Sequence, residues 1–262
     1  MRVFTLIENY IQLVSNEFYN VWNQWNIDIS NPQKYEVVGA LLSRIITLAI
    51  QIAGAPSIWN IQTAPIILRV MIDAYINLAW IFMDLEERSK HFVSYGLGQA
   101  KLHLEQMKAV NKEGGKVYDE IYLNSIESWI NSQKFTFLTE VNVGSWSGEN
   151  IRSMAEDANC IDIYNFAYTP FSNAVHNTWY QVGRTNTALC INPLHGYHFN
   201  PTIPNFESDP EYFRLAAKYA RKALNLFVEK TGVELNEPSA YEFMLEEIGK
   251  LYESMNENNL KS

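Results

Sequence analysis

The chain is poor in cysteine and in positive charge, and both properties limit the kinds of protein that it can be. Its 262 residues include two cysteines, Cys160 and Cys190. Two cysteines cannot build a disulfide framework, so a reducing cytoplasm is the expected compartment. The formal net charge of −9 disfavours indiscriminate nucleic-acid binding, because neutralisation of phosphates drives such binding. A small basic patch that receives RNA locally is still compatible with this charge.

The chain also lacks the short motifs of several enzyme classes. It has no P-loop, dinucleotide fingerprint, HExxH or nucleophile elbow. His195 and His198 in "HGYH" stand three apart, but without further ligands at metal spacing they are weak evidence for a metal. We therefore expect no metal and no cofactor. The start, "MRVFTLIENYIQLV", reaches Glu8 before any long apolar run and lacks a cleavage site, so it predicts an amphipathic helix and not a signal peptide.

Apolar residues recur at helical spacing along nearly the whole chain, and period-two alternation is scarce. The predicted fold is all-α, a multi-helix bundle formed by a single domain over residues 1–262. Helices are expected at roughly 3–26, 34–54, 64–84, 86–110, 116–133, 148–158, 160–168, 170–183, 209–230 and 238–256. Ser147, Thr169 with Pro170, and Ser208 with Pro210 suit helix starts.

Residues 184–207 contain three of the nine prolines and show no helical pattern. A connection this long without its own secondary structure is usually functional. We expect it to be irregular and to pack over the bundle as a lid, or to form a partner surface.

Two segments, 37–55 and 64–83, are apolar enough to suggest membrane spans. A charged residue at the centre of a span costs about 2.5–3.5 kcal/mol, and each large aliphatic residue returns about 0.3–0.6 kcal/mol. For the second segment these values nearly cancel. Because Arg44 lies inside the first segment and Arg69 and Asp73 inside the second, a buried helical hairpin of a soluble bundle is favoured over a membrane hairpin.

Three mostly apolar helices each carry polar residues four positions apart, which places those residues on one helical face. The strips are Arg69, Asp73 and Asn77; Ser43, Thr47 and Gln51, beside Arg44; and Tyr168, Ser172, His176 and Tyr180. Such strips are cheapest to bury against one another or around a polar cavity. In the alternative interpretation, Arg69 and Asp73 are a pair that fixes helix register, and His176 is a satisfied core histidine.

The order and spacing of these residues resemble a known family. The stretches "ILRVMIDAYINLAWI" and "SWSGENIRSMAEDANCIDIYNFAYTPFSNAVHNTW" resemble the domain-of-unknown-function family 5677, which is all-helical and bacterial. The resemblance covers about residues 35–185 and leaves the C-terminal helices at 209–256 outside. It implies a site formed by Arg69, Asp73, Trp146, Tyr164, Tyr168, Ser172 and His176. Asp73 departs from the pattern, since a longer glutamate is expected there.

A weaker similarity is to HEPN proteins, helical bundles often found in toxin and antiviral systems. Their RNases carry Arg-x4–6-His, in which a histidine and a cation manage cleavage by a ribose 2′-hydroxyl. This chain lacks that arginine, because residues 169–171 before His176 are Thr, Pro and Phe. Arg69 or Arg44 would have to supply the cation from another helix.

The leading hypothesis is a HEPN-like helical effector or sensor that binds or cleaves RNA or a nucleotide, in defence against phage. His176 would be the general acid and base, and Arg69, Arg44 and Asn77 would bind the ligand. Tyr168 and Ser172 would orient it, with Asp73 holding Arg69 or His176 in place. If the protein is an enzyme, we expect a metal-independent ribonuclease or a hydrolase of phosphodiesters or nucleotides.

A hydrolase triad of Ser172, His176 and Asp73 lacks an identifiable oxyanion donor. The competing hypothesis is a non-catalytic interaction or scaffold module, in which the polar strips only specify packing. The expected partners are a second copy of the chain, a protein encoded alongside, and RNA or a nucleotide, without a membrane.

Overall fold

The computed structural model describes residues 2–27, 32–114, 117–133, 145–235 and 238–259. Its α-helices are α1 (Arg2–Gln24), α2 (Gln33–Ala53), α3 (Ala64–Ile81), α4 (Leu85–Gly114), α5 (Glu120–Ser132), α6 (Ile151–Asp157), α7 (Ile161–Ile163), α8 (Thr169–Val175), α9 (Trp179–Thr185), α10 (Glu211–Thr231) and α11 (Ala240–Asn259). Short 3-10 helices cover Pro56–Ile58 and Phe82–Asp84, and a π-helical turn covers Tyr164–Tyr168. A two-stranded sheet is formed by β1 (Thr187–Leu189) and β2 (Phe199–Pro201). The all-α, multi-helix prediction is confirmed.

The core is centred on α2 and α3, which explains why these helices are so apolar. Leu42 and Ile45 of α2 and Leu68 and Ile72 of α3 are fully buried. One continuous hydrophobic cluster joins them to residues of α1, α6, α7, α10 and α11. A separate small cluster joins α4 and α5 through Leu104, Met107, Leu123 and Ile130.

Two helical stretches, Gln33–Ala53 and Ala64–Lys112, are long and apolar enough to cross a membrane by length and composition. In the fold, 50% and 56% of their most apolar windows are buried against other parts of the chain. Core helices commonly have this composition, because apolar residues on most faces are needed where a helix is surrounded. The cellular compartment stays a prediction.

The helical pattern around residues 160–183 differs from the expectation. The helix that starts at Ile161 continues to Val175 through a π-helical turn at Tyr164–Tyr168. Pro170 has no N–H to give to the helix, and the N–H of Thr169 donates to the carbonyl of Tyr164, five residues back. Asn177, at φ 50°, then turns the chain, so the predicted continuous helix at 170–183 is broken before α9.

The predicted helix starts were also partly wrong. Asn150, and not Ser147, caps α6, because its Oδ1 accepts from the N–H of Ser153 at 3.0 Å. The hydroxyl of Ser147 donates instead to the carbonyl of Glu149. At the C-terminal helix, Ser239 and Glu242 form a reciprocal capping box, each side chain accepting from the other residue's N–H.

Residues 186–206, here called the arm, contain a short hairpin where an irregular segment was expected. Thr187 pairs with Pro201 and Leu189 with Phe199 in antiparallel register. The arm is tied to the bundle at its base, where Gln62 donates to Asn186 at 2.8 Å. Beyond the base it does not form a lid over the helices, since Ile191 is 100% exposed.

Candidate functional site

The candidate site lies where α3 packs along the helix that contains the π-helical turn. The turn brings Tyr164 and Tyr168 into a stack, with ring centroids 4.8 Å apart. π-helical turns often occur at functional sites, because they re-aim side chains that a regular helix would place elsewhere. Here the turn and α8 bring Tyr168 and Ser172 to Arg69 of α3.

Arg69 is the centre of the site, and its guanidinium contacts three different groups. Its Nε donates to the hydroxyl of Ser172 at 2.8 Å, and its Nη1 forms an ion pair with Asp73, one turn along α3. Its Cζ lies 3.1 Å from the centroid of the Tyr168 ring. Only 7% of Arg69 is exposed. The guanidinium of Arg69 therefore makes its contacts inside the protein and is hardly accessible to solvent.

Ser172 connects the two helices through a short chain of hydrogen bonds. While its oxygen accepts from Arg69, its hydroxyl donates to the carbonyl of Tyr168 at 2.7 Å. A serine that gives its proton to its own helix has no proton available for a base. In this geometry Ser172 bridges α3 and α8.

Burial dominates the electrostatics of the acidic and phenolic groups. It raises the pKa of Asp73, although the neighbouring Arg69 opposes the rise. Burial also raises the pKa of Tyr168, again against the influence of Arg69. Burial therefore favours the neutral form of both side chains, and the pKa of each is higher than it would be in water.

Asn77 extends the strip by one further turn of α3. Its Oδ1 is buried and has no hydrogen-bond partner among the described residues. An unsatisfied buried amide oxygen costs about 1–3 kcal/mol. The Oδ1 atom of Asn77 is therefore a polar atom of the strip that is buried without a hydrogen bond to any other described residue.

His176 and Arg44 are not brought to Arg69. His176 is exposed and follows the last residue of α8, where its backbone N–H donates to the Ser172 carbonyl at 2.9 Å. Arg44 is exposed on α2. Within the described parts of the chain, neither side chain has a hydrogen bond or ion pair. The expected phosphate clamp and the Ser172–His176 contact are thus not assembled.

The strip on α2 also differs from the expectation. Thr47 and Gln51 are exposed and Ser43 is half-buried, so this strip lies at the surface. Two of the three strips meet, and they meet because α3 and α8 pack together. The α2 face that packs on α3 and α10 is apolar.

Trp146, one of the three aromatic residues that the family resemblance implies, has a structural role. Trp146 packs edge-on against Trp80 and Phe92, with ring centroids 5.3 and 4.9 Å apart. Arg88 lies over the Trp80 ring at 3.5 Å. These contacts attach the segment before α6 to α3 and α4.

Sequence patterns did not indicate a cleft between α3, α10 and the turn that follows α6. Its volume is about 290 Å3, and Tyr75, Asp157 and Cys160 contribute to its walls. Burial raises the pKa of Tyr75 to about 12 and that of the Cys160 thiol to about 11. Both groups are thus neutral at physiological pH. Tyr75 and Cys160 lie on different helical segments far apart in the sequence, so residue spacing could not predict that they share a cleft.

Fold and site together define an all-α protein in which an arginine-centred polar network joins the central helix α3 to α8. The model of a family of unknown function, DUF5677, matches residues 35–186, more than half of the chain. The protein belongs to this family. No curated protein and no solved structure matches the chain. The matched region contains Arg69, Asp73, Tyr168 and Ser172.

Proposed function

We propose that the protein is a non-catalytic helical interaction module that forms a homodimer through its arm. One observation carries the proposal. Residues 186–206 contain no Asp, Glu, Lys or Arg, and they expose large apolar side chains. Those exposed by more than half are Leu189, Ile191, Leu194, Tyr197, Phe199 and Ile203.

A second copy of the chain is the partner that fits this surface. Two molecules of net charge −9 repel each other over most of their surfaces, and the arm is a place where they can meet without that repulsion. Interface centres are depleted of charge and enriched in aromatic residues. A two-fold axis would let each arm pack on its copy with the same residues.

The state of Arg69 supports the non-catalytic part of the proposal. Its three contacts, to Ser172, Asp73 and Tyr168, lie within the same fold. Arg69 could bind a phosphate only if its ion pair with Asp73 were broken, and the Arg69 side chain is nearly buried in that pair. The network fixes the packing of α3 against α8 without requiring a ligand.

Light scattering tests the dimer directly. At a concentration of about tens of micromolar, the wild-type protein should have the mass of two chains. The Ile191→Asp, Ile203→Asp protein should be monomeric, because both side chains are at least 99% exposed in the single chain and would place four carboxylates in the interface.

Ile121→Asp is the matched control, since Ile121 is 78% exposed on α5, outside the arm. This variant should remain dimeric. A monomeric wild-type protein, or loss of the dimer in the control alone, would contradict the proposal.

A second candidate function is binding of single-stranded RNA or a nucleotide, in the HEPN-like antiphage role. One observation favours it: exposed His176 is followed by Trp179 and Tyr180, which are 73% and 62% exposed. Arg184 supplies a cation beside Tyr180, donating to its hydroxyl at 2.7 Å. Exposed aromatic rings stack with bases at about 1–3 kcal/mol per base.

Fluorescence anisotropy with a labelled oligouridylate tests this candidate. Trp179→Ala should weaken binding by about fivefold or more, whereas Trp129→Ala should not, although Trp129 of α5 is 53% exposed. If the bound RNA is also cleaved, His176→Ala should abolish cleavage and leave the melting temperature unchanged. Undetectable binding by the wild-type protein, or equal binding by both tryptophan variants, would exclude the candidate.

A further inference from the structure

The loop of the arm hairpin brings together Cys190, His195 and His198. One ligand atom of each residue lies within 4.8 Å of the others. We infer that this loop is a binding site for a divalent transition metal, with Zn2+ as the ion that suits it best. The site lies outside the family-matched region and is independent of the Arg69 network.

The distance between two of the ligand atoms already suits a tetrahedral ion. Zinc lies about 2.3 Å from a cysteine sulfur and about 2.0–2.1 Å from a histidine nitrogen, so tetrahedral geometry separates these atoms by about 3.6 Å. In the structure, Cys190 Sγ and His195 Nδ1 are 3.6 Å apart. The ring centroid of His198 lies 5.4 Å from that of His195. At this distance a small rotation of the His198 side chain would bring its nitrogen to the ion as the third ligand.

The backbone holds the three residues in place. The N–H of Cys190 donates to the carbonyl of His198 at 2.8 Å, and the N–H of His198 donates to the carbonyl of His195 at 3.1 Å. Tyr197 has a φ of 60°, a conformation that a bulky residue seldom adopts. Strain of this kind persists where the local structure requires it, and here it closes the chain between the two histidines.

The donor set selects the ion. A thiolate with two imidazoles is typical of zinc and of softer metals, whereas Mg2+ and Ca2+ prefer oxygen ligands. Three protein ligands leave the fourth tetrahedral position to water, as in zinc sites that exchange a ligand. In the single chain Cys190 is half-exposed and both histidines are exposed, so the ion has access from solvent before two arms pack together.

Binding must release a proton, and the structure indicates where it comes from. Asn192 Nδ2 lies 3.2 Å from His195 Nε2, and Asn192 Oδ1 already accepts from the N–H of Leu194. With the amide as donor, Nε2 accepts and Nδ1 carries the hydrogen that faces Cys190. An ion bound at Nδ1 displaces that hydrogen to Nε2, so the Asn192 amide must turn away from the ring, and the Cys190 thiol gives its proton to solvent.

The alternative explanation is a plain hydrogen bond between Cys190 and His195 with no metal. The two explanations differ in the electronic spectrum of the metal-loaded protein. Cobalt(II) replaces zinc in tetrahedral sites, and a thiolate ligand gives it a charge-transfer band in the near ultraviolet. The full-length protein, freed of metal by a chelator and kept reduced by a phosphine, should bind about one Co2+ per chain with this band. Zn2+ should then displace it.

Variants of the loop identify the ligands. Cys190→Ser should remove the charge-transfer band, and His195→Gln and His198→Gln should each weaken Zn2+ binding by about 100-fold, since the loss of an outer-shell partner alone costs about 10–100-fold. Cys160→Ala and His103→Gln are the controls and should bind as the wild type does. Circular dichroism should show the same helix content in all five variants.

Two results would overturn the inference. One is a wild-type protein that binds no Co2+ or Zn2+. The other is binding that Cys190→Ser and the histidine variants leave unchanged, which would assign the metal to exposed carboxylates. Either result leaves the dimer proposal untouched, because light scattering with a chelator added measures the mass of the protein without bound metal.

Discussion

Replacement of Asp73 by leucine should destabilise the protein by about 3 kcal/mol, although Asp73 is partly exposed. Removing one partner of a buried ion pair costs about 3–5 kcal/mol, because the other charge stays buried. The side chain of Arg69 is 8% exposed, and that of Asp73 is 40% exposed. Water can enter where the carboxylate was, so we expect the lower end of that range. For a chain of this size the melting temperature should fall by roughly 10 °C.

The double replacement Arg69→Met, Asp73→Leu should recover most of this loss, since an apolar pair of similar volume can replace a buried ion pair at little cost. Urea unfolding of the two single variants and the double variant gives the coupling energy. The exposed pair Arg152 and Glu156, also four apart, is the control. Glu156→Leu should change stability by less than about 1 kcal/mol. A double variant no more stable than Asp73→Leu would contradict this prediction.

The effect of Arg69→Met should depend on pH in a defined direction. Burial holds the pKa of Asp73 above its usual value while Arg69 lowers it, so loss of Arg69 raises that pKa further. A group with a raised folded-state pKa costs no stability below its unfolded pKa, about 3.9 for Asp, and the cost appears as pH rises. The variant should therefore lose less stability at about pH 4 than at about pH 7.

The same double variant separates the two interpretations of the site. If the network only specifies packing, the double variant should dimerise and bind as the wild type does. If Arg69 serves a ligand, the variant should fold well and lose binding. Because His176 is exposed, His176→Ala should leave the unfolding free energy unchanged under both interpretations, and it should weaken binding only if the RNA-binding candidate is right.

The helices were predictable because each has one buried, apolar face and one face that is more exposed to solvent. The period of apolar residues follows from helix geometry alone, so α2, α3 and α10 appear within a few residues of their predicted limits. The break after Val175 was not visible in that pattern. It depends on the backbone conformation of Asn177, at φ 50°, and the helical spacing of polar residues continues through it to Tyr180.

The candidate site was predictable only in part, for the same reason. Four-residue spacing correctly placed Asp73 beside Arg69, and Tyr168 near Ser172. It could not show that α3 and α8 would face each other while the strip on α2 faced outward. It also overlooked Cys190, since the histidines of "HGYH" meet this cysteine only through a hairpin that the sequence did not reveal.

The start of α11 has a capping box that is visible in the sequence. Ser239 followed three positions later by Glu242 is the usual signal for such a helix start. A side chain from α1 accepts a further hydrogen bond from this helix start. The N–H of Ala240 donates to Glu17 of α1 at 2.9 Å.

Replacement of Glu17 by glutamine should therefore destabilise the protein by about 3–5 kcal/mol. Glu17 is 7% exposed, and its Oε1 lies 3.7 Å from Nη1 of Arg221, whose side chain is 15% exposed. Glutamine can still accept from Ala240, so the loss reports the charge and not the cap. The variant removes the carboxylate charge that lies beside the Arg221 guanidinium where α1 and α10 meet.

Glu8→Gln is the matched control, because Glu8 lies on the same helix and is exposed; it should change the free energy of unfolding by less than about 0.5 kcal/mol. The double replacement Glu17→Gln, Arg221→Met should restore most of the stability that Glu17→Gln loses, because it removes the arginine cation and keeps the acceptor for Ala240. Urea unfolding followed by circular dichroism measures all three proteins. Since α1 and α11 lie outside the family-matched region and share one core cluster with it, the loss should appear in a single unfolding transition. An early separate transition in Glu17→Gln would show instead that the flanking helices form a unit of their own.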